Sequence, residues 1–93
     1  MFPQETLNTI VEQSNFTKKF YDEIENYSRL EIWKLGLDWL LARNPCCENS
    51  VDLGNNYRVL KTADIGGFPP ILVFYLFKKD EQKVYLIEME IIK

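Results

Sequence analysis

Residues 71–77 read Ile-Leu-Val-Phe-Tyr-Leu-Phe, an unbroken run of apolar side chains. Successive side chains of a β-strand point to opposite faces of the sheet, so both faces of this segment are apolar. That pattern is typical of a central strand that is covered on each side, or of one that keeps a functional face open. The segment therefore predicts the strand around which the rest of the fold is arranged.

A last strand is predicted after the charged turn at 78–83. Residues 84–92 alternate in polarity, which is typical of a strand with one buried face. The alternation predicts a core stripe of Tyr85, Ile87, Met89 and Ile91, with Glu88 and Glu90 on the other face.

A further strand is predicted before the central one, at residues 57–62. Alternation places Arg58 and Lys61 on opposite faces of it. Residues 63–70 contain paired glycines and paired prolines, which predict an extended connector. Residues 46–56 are mostly polar and predict a loop.

Two helices are predicted ahead of these strands. The first carries apolar residues at spacings of four, four and three, namely Phe16, Phe20, Ile24 and Tyr27. Ser28 and Glu31 have the spacing of a capping box that starts the second helix, at residues 29–43. Asn44-Pro45 ends it, because proline lacks an amide and disfavours helical geometry in the preceding residue. A short strand over 7–13, at a sheet edge, precedes both helices.

The second helix has apolar residues on more than one side. One stripe holds Leu30, Trp33, Leu37, Leu40 and Leu41. A second stripe holds Ile32, Leu35 and Trp39, where a surface helix is normally polar. Either the first helix and the sheet cover both stripes, or the second stripe binds a partner or a second copy of the chain.

The composition limits the function. A chain of 93 residues, 46% of them apolar, forms one small domain spanning 1–93. Histidine is absent, which excludes histidine-dependent catalysis. A net charge of −3 argues against nonspecific nucleic-acid binding. Cys46 and Cys47 are the only cysteines and do not make a metal framework, so neither a metal nor a cofactor is expected.

No segment has the charged and apolar pattern of a secretory signal or the length of a membrane span. A cytoplasmic protein that does not bind membranes is therefore expected.

The order of these motifs resembles the RelE/ParE superfamily of toxins from bacterial type II toxin–antitoxin systems. The resemblance runs from Ile10 to Ile91 and depends on the order and spacing of several short motifs. They are Val-Glu-Gln-Ser-Asn-Phe at 11–16, Asn-Pro at 44–45, Leu-Gly-Asn-Asn-Tyr-Arg-Val-Leu-Lys at 53–61, Pro-Pro-Ile-Leu-Val-Phe-Tyr at 69–75 and Val-Tyr-Leu-Ile at 84–87.

The resemblance implies an α+β fold of order β-α-α-β-β-β. A helix hairpin would pack on one face of a twisted, mainly antiparallel four-stranded sheet, and the opposite face would meet the target. It also implies a cognate antitoxin that holds the protein inactive. RelE-like members cleave ribosome-bound mRNA, whereas ParE-like members inhibit DNA gyrase, so the ribosome and gyrase are the implied targets.

Three residues match functional positions of the family. Arg58 and Lys61 match basic positions of one strand, and Tyr75 matches a tyrosine of the next. The sequence departs from the nuclease pattern elsewhere. Leu72, Val73 and Leu76 stand where arginine is frequent beside that tyrosine, and Glu88, Met89 and Glu90 stand where nuclease members present histidine, arginine or tyrosine.

Three functions follow as hypotheses. The first is a toxin-like component that acts through protein partners and lacks the RelE-type cleavage site. It would bind its antitoxin through an apolar surface that includes Ile32, Leu35, Trp39 and Leu72. The second is a ribosome-dependent mRNA endonuclease that uses Arg58, Lys61 and Tyr75. The third is a non-toxic interaction module that keeps the fold.

Overall fold

The computed structural model describes residues 7–27, 29–62 and 69–92. Its elements, in chain order, are β1 (Thr9–Glu12), α1 (Ser14–Glu23), α2 (Leu30–Arg43), β2 (Ser50–Gly54), β3 (Tyr57–Lys61), β4 (Ile71–Lys78) and β5 (Lys83–Ile91). The predicted α+β class and the order of the predicted elements are confirmed. The proposed capping box and most of the connector at 63–70 involve residues outside the described part of the chain.

The segment quoted first is β4, and it lies at the centre of the sheet. The strand order is β1-β5-β4-β3-β2, so that β4 pairs antiparallel with both β3 and β5. Ile71, Val73 and Tyr75 are buried beneath the helices, whereas the residues between them are half-buried on the opposite face. The edge position predicted for the first strand is also confirmed, because β1 pairs only with β5, in parallel.

The described residues form a sheet of five strands, and the prediction of four was wrong. The additional strand is β2, which lies within the predicted loop at 46–56 and pairs antiparallel with β3. Asn55 and Asn56 form the connecting two-residue turn with φ angles of 54° and 71°. Asparagine tolerates this left-handed conformation, which two-residue hairpins favour. The polar composition of residues 46–56 does not predict this short edge strand. The Asn55-Asn56 pair, which is typical of a two-residue hairpin turn, is the feature of the sequence that indicates it.

The predicted core stripe of β5 was wrong in its first half. Phe74 pairs with Glu88, but the next residue, Tyr75, pairs with Leu86, so Ile87 is an extra residue in a β-bulge. Before the bulge Val84 and Leu86 are buried, and after it Met89 and Ile91 are buried. Tyr85 and Ile87 therefore lie on the face away from the helices. A strict two-residue period cannot anticipate a bulge, which switches the face of every following side chain.

Both helices pack on one face of the sheet. The helix α1 buries Phe16 and Phe20, and α2 buries Leu30, Leu37 and Leu41. These side chains meet the inward residues of the strands in one core. The described part of the chain has no helix that is both long and apolar enough to cross a membrane.

A buried lysine joins α2 to β1. The Lys34 ammonium lies 2.7 and 2.8 Å from the two carboxylate oxygens of Asp38 and 3.2 Å from Oε2 of Glu12. It also lies 5.8 Å from the centre of the Phe16 ring. A buried ammonium needs such partners because its desolvation is costly. The contacts therefore orient α2 over the edge of the sheet.

The bulge can be tested with two adjacent substitutions. Leu86→Ala removes a fully buried side chain and is expected to lower the free energy of unfolding by about 2 to 5 kcal/mol. Ile87→Ala removes a side chain from the other face and is expected to cost about 1 kcal/mol. Urea unfolding of both variants measures the difference, and a larger loss for Ile87→Ala contradicts the bulge.

Candidate functional site

The face of the sheet away from the helices is apolar and uncovered in the described part of the chain. We call it the open face. Strand alternation places on it the mostly apolar side chains of Val51, Tyr57, Val59, Leu72, Phe74, Leu76, Tyr85 and Ile87, together with the charged Lys61, Glu88 and Glu90. Val51 and Tyr57 are exposed, and the residues of β4 are half-buried. Uncovered apolar surface of this kind is typical of an interaction site.

One end of the open face forms a groove of about 300 Å³ beside the start of α1. Its walls are Gln13, Ser14, Asn15, Tyr57, Leu76, Tyr85 and Ile87. The Tyr85 hydroxyl donates a 2.9 Å hydrogen bond to Glu81. This bond raises the pKa of Tyr85 and lowers the pKa of Glu81. The groove wall offers aromatic rings and neutral polar groups and has no cation, a chemistry suited to a peptide and poorly suited to a phosphate.

Sequence reasoning did not single out Tyr57, Tyr85 or Ile87 as surface residues of interest. The bulge in β5 brings Ile87 onto the open face beside Tyr85, and pairing of β3 with β4 places Tyr57 opposite Leu76. Only the register of three strands brings these residues together, so no local motif could have identified the groove.

The three residues matched to the family's functional positions do not form one site. Arg58 and Tyr75 are directly paired across β3 and β4, and both lie on the helix side of the sheet. Lys61 lies on the open face, where it is exposed and paired with Leu72. The predicted separation of Arg58 from Lys61 is confirmed by this register.

The hydroxyl of Tyr75 is engaged inside the protein. Tyr75 has no exposed surface, and its hydroxyl donates a short hydrogen bond to the carbonyl oxygen of Pro45. Burial raises the pKa of Tyr75, and the nearby Ser50 and Arg58 side chains only partly oppose that shift. The bond ties the loop that follows α2 to the central strand.

Arg58 belongs to the same polar cluster. Its Nε donates to Ser50 Oγ at 3.1 Å, and the Ser50 hydroxyl donates to the Cys47 carbonyl oxygen at 2.7 Å. The nearest carboxylate is Asp52, with 4.0 Å between Oδ2 and the Nη1 of Arg58. This chain of bonds fixes the guanidinium against the loop at 44–50.

The second apolar stripe of α2 is exposed. Ile32, Leu35 and Trp39 are 60%, 69% and 60% exposed. The Arg43 guanidinium lies 4.4 Å from the Trp39 ring centre, in a cation–π arrangement. Leu72 lies on the open face, on the far side of the sheet from α2. The four residues singled out for partner binding therefore form two separate surfaces.

Neither cysteine is in a disulfide. Cys46 is exposed and Cys47 is buried. The described residues contain no group of three or more histidine, cysteine, aspartate or glutamate side chains that could hold a metal ion.

Comparisons with solved structures find similar chains. The intact E. coli RelBE toxin–antitoxin complex contains a chain that matches with a TM-score of 0.67 and 15% identity, over 92% of this chain and 98% of that one. A double mutant of the E. coli toxin RelE in the free state matches with a TM-score of 0.67 and 12% identity, over 89% and 81%. A metal-bound toxin from Helicobacter pylori matches with a TM-score of 0.62 and 18% identity, over 91% and 94%. No protein-family model and no curated protein matches the sequence.

The structural role of Tyr75 can be tested with a matched pair of substitutions. Tyr75→Phe leaves the carbonyl oxygen of Pro45 buried without its donor and is expected to cost about 1 to 3 kcal/mol of unfolding free energy. Tyr57→Phe removes an exposed hydroxyl and is expected to change it by less than about 0.5 kcal/mol. Thermal and urea unfolding measure the unfolding free energy of both variants. Equal losses in the two variants contradict the structural role assigned to the Tyr75 hydroxyl.

Proposed function

We propose that this chain, which has the fold of the RelE toxins, is the toxin-like component of a bacterial type II toxin–antitoxin pair. In this proposal it acts by binding protein partners and does not cleave mRNA. The fold supports the first part, since similar chains include one held in a complex with its antitoxin.

The second part of the proposal, that the chain does not cleave mRNA, is supported by the separation of the three matched residues. Cleavage of RNA by a metal-free site needs a base for the ribose hydroxyl, a donor for the leaving oxygen and a cation for the phosphate, all on one surface. Arg58 and Tyr75 lie on the helix side of the sheet, and Lys61 lies on the open face. The Tyr75 hydroxyl is also buried and bonded to Pro45.

The charges near Lys61 support the same conclusion. Leu72 pairs with Lys61 on one side and with Glu90 on the other, and Glu88 lies beside Phe74. Both glutamates are exposed. Two carboxylates beside a single lysine repel a phosphate backbone, whereas an apolar face with a few charges suits a protein partner.

For the antitoxin, we propose an amphipathic helix lying along α2. Ile32, Leu35 and Trp39 are spaced by three and four residues, which aligns them in one stripe that matches the apolar face of a second helix. Glu31 is exposed next to Ile32 of this stripe and favours a basic residue on the partner helix. Contact with Leu72 would need a second antitoxin segment that reaches the open face around a sheet edge.

Induced expression in a bacterial host tests the toxin proposal. We expect growth arrest without new mRNA 5′ ends in primer extension. Co-expression of the adjacent reading frame should relieve the arrest, and the arrest should persist in Lys61→Gln because this lysine would not be catalytic.

Two results would contradict this proposal. New cleavage sites at ribosome-bound codons, lost in Lys61→Gln, would identify an endonuclease. Unimpaired growth would identify a non-toxic interaction module. Arrest without cleavage leaves the target to be identified, and inhibition of DNA gyrase supercoiling is the next assay.

The antitoxin surface is tested by Trp39→Ala, with Tyr21→Ala as its control. Both side chains are exposed aromatic residues on helices, 60% and 64% exposed. Trp39→Ala is expected to weaken binding of the product of the adjacent reading frame by about tenfold or more, because buried tryptophan dominates interface energetics. Tyr21→Ala should have little effect. Isothermal titration calorimetry measures both, and equal affinities of the two variants would exclude α2 as the contact.

A further inference from the structure

A cavity on the helix side of the sheet is distinct from the open face and from the α2 stripe. It has a volume of about 370 Å³, is open to solvent, and lies where the loop after α2 meets the turn between β2 and β3. Its walls include Arg58, Lys79, Asn55, Asn56, Phe77 and Asp52. Two of these side chains are cations and two are amides, so the cavity concentrates hydrogen-bond donors.

Arg58 is held in place from more than one side. Its side chain is 17% exposed, its Nε–H is donated to Ser50 Oγ, and the guanidinium also interacts with the Tyr75 hydroxyl. A guanidinium carries five N–H donors in a planar fork that matches carboxylate and phosphate groups. The structure therefore presents a partly desolvated, positioned guanidinium to the cavity, where an anion would be held more strongly than in water.

The carboxylate in the cavity wall forms a long ion pair with one of these cations. Oδ1 of Asp52 accepts the Gly54 N–H at 2.8 Å, and Oδ2 lies 4.0 Å from Nη1 of Arg58, beyond hydrogen-bond distance. Lys79 forms no ion pair with a described residue, and the amide groups of Asn55 and Asn56 form no side-chain hydrogen bond there. Two cations with one carboxylate leave the cavity wall with a net positive charge.

Phe77 adds an apolar wall to this polar set. An anion-binding end with one aromatic ring suits a ligand that combines a phosphate with a flat ring, and the cavity volume is in the range of small-molecule sites. We propose that the cavity binds a phosphomonoester, with the phosphate between Arg58 and Lys79 and a ring of the ligand against Phe77. The site is independent of the proposed antitoxin surface.

Titration of the full-length protein, followed by amide chemical shifts at constant ionic strength, tests the site with inorganic phosphate and with AMP. We expect saturable shifts at Asn55, Asn56, Arg58 and Lys79, with AMP binding about fivefold or more tightly than phosphate because of the ring contact. Absence of saturable shifts at these residues overturns the site. Equal affinities for the two probes overturn the assigned ring contact.

Three charge variants distinguish binding at a specific site from nonspecific electrostatic attraction to the protein surface. Lys79→Gln should weaken AMP binding by about threefold or more, and Asp52→Asn should strengthen it by a similar factor, since asparagine keeps the oxygen that accepts the Gly54 N–H. Lys18→Gln removes the same charge from exposed α1 and should leave affinity unchanged. Equal weakening by Lys79→Gln and Lys18→Gln contradicts the site. All three positions are exposed, so folding is not at risk.

Discussion

Burial of one face of β4 is the constraint on which the rest of the structure depends. Ile71, Val73 and Tyr75 point beneath the helices, and both neighbouring strands take their registers from this strand. Because side chains alternate along a strand, the same strand supplies Ile71, Val73 and Tyr75 to the core and Leu72, Phe74 and Leu76 to the open face. The core cannot form on one side without leaving apolar surface on the other.

This alternation also distributes the charged residues. Arg58 pairs with Tyr75, so both lie on the helix side of the sheet. Lys61 pairs with Leu72, so both lie on the open face. The separation places the three matched residues on two different faces of the sheet. Arg58 is part of the polar cluster around Ser50, and Lys61 lies on the open face with Leu72 between it and Glu90. A shared fold does not by itself imply a shared chemistry, because function depends on the residues at the site.

The two apolar surfaces have different physical origins. The open face is the unavoidable reverse of the core strands, whereas Ile32, Leu35 and Trp39 lie on a helix whose other side already supplies the buried residues Leu37 and Leu41. Exposing a tryptophan and two aliphatic side chains adds nothing to the core and carries a cost in solubility, a pattern that is typical of interaction surfaces. The position of these residues on the far side of the sheet from Leu72 means that a partner covering both surfaces must wrap around the domain.

The sequence by itself determined the class and order of the main elements. The apolar run at 71–77 specified the central strand, and Asn44-Pro45 ended α2, because these are local effects of polarity and backbone geometry. Only the tertiary structure decided which face was covered, where β5 gained its extra residue at Ile87, and that β2 pairs at the edge. Those features depend on pairing between strands distant in sequence, and a bulge or a short edge strand leaves little local signal. The groove and the cavity depend on the same pairings, so their residues could be identified individually in the sequence but not as sites.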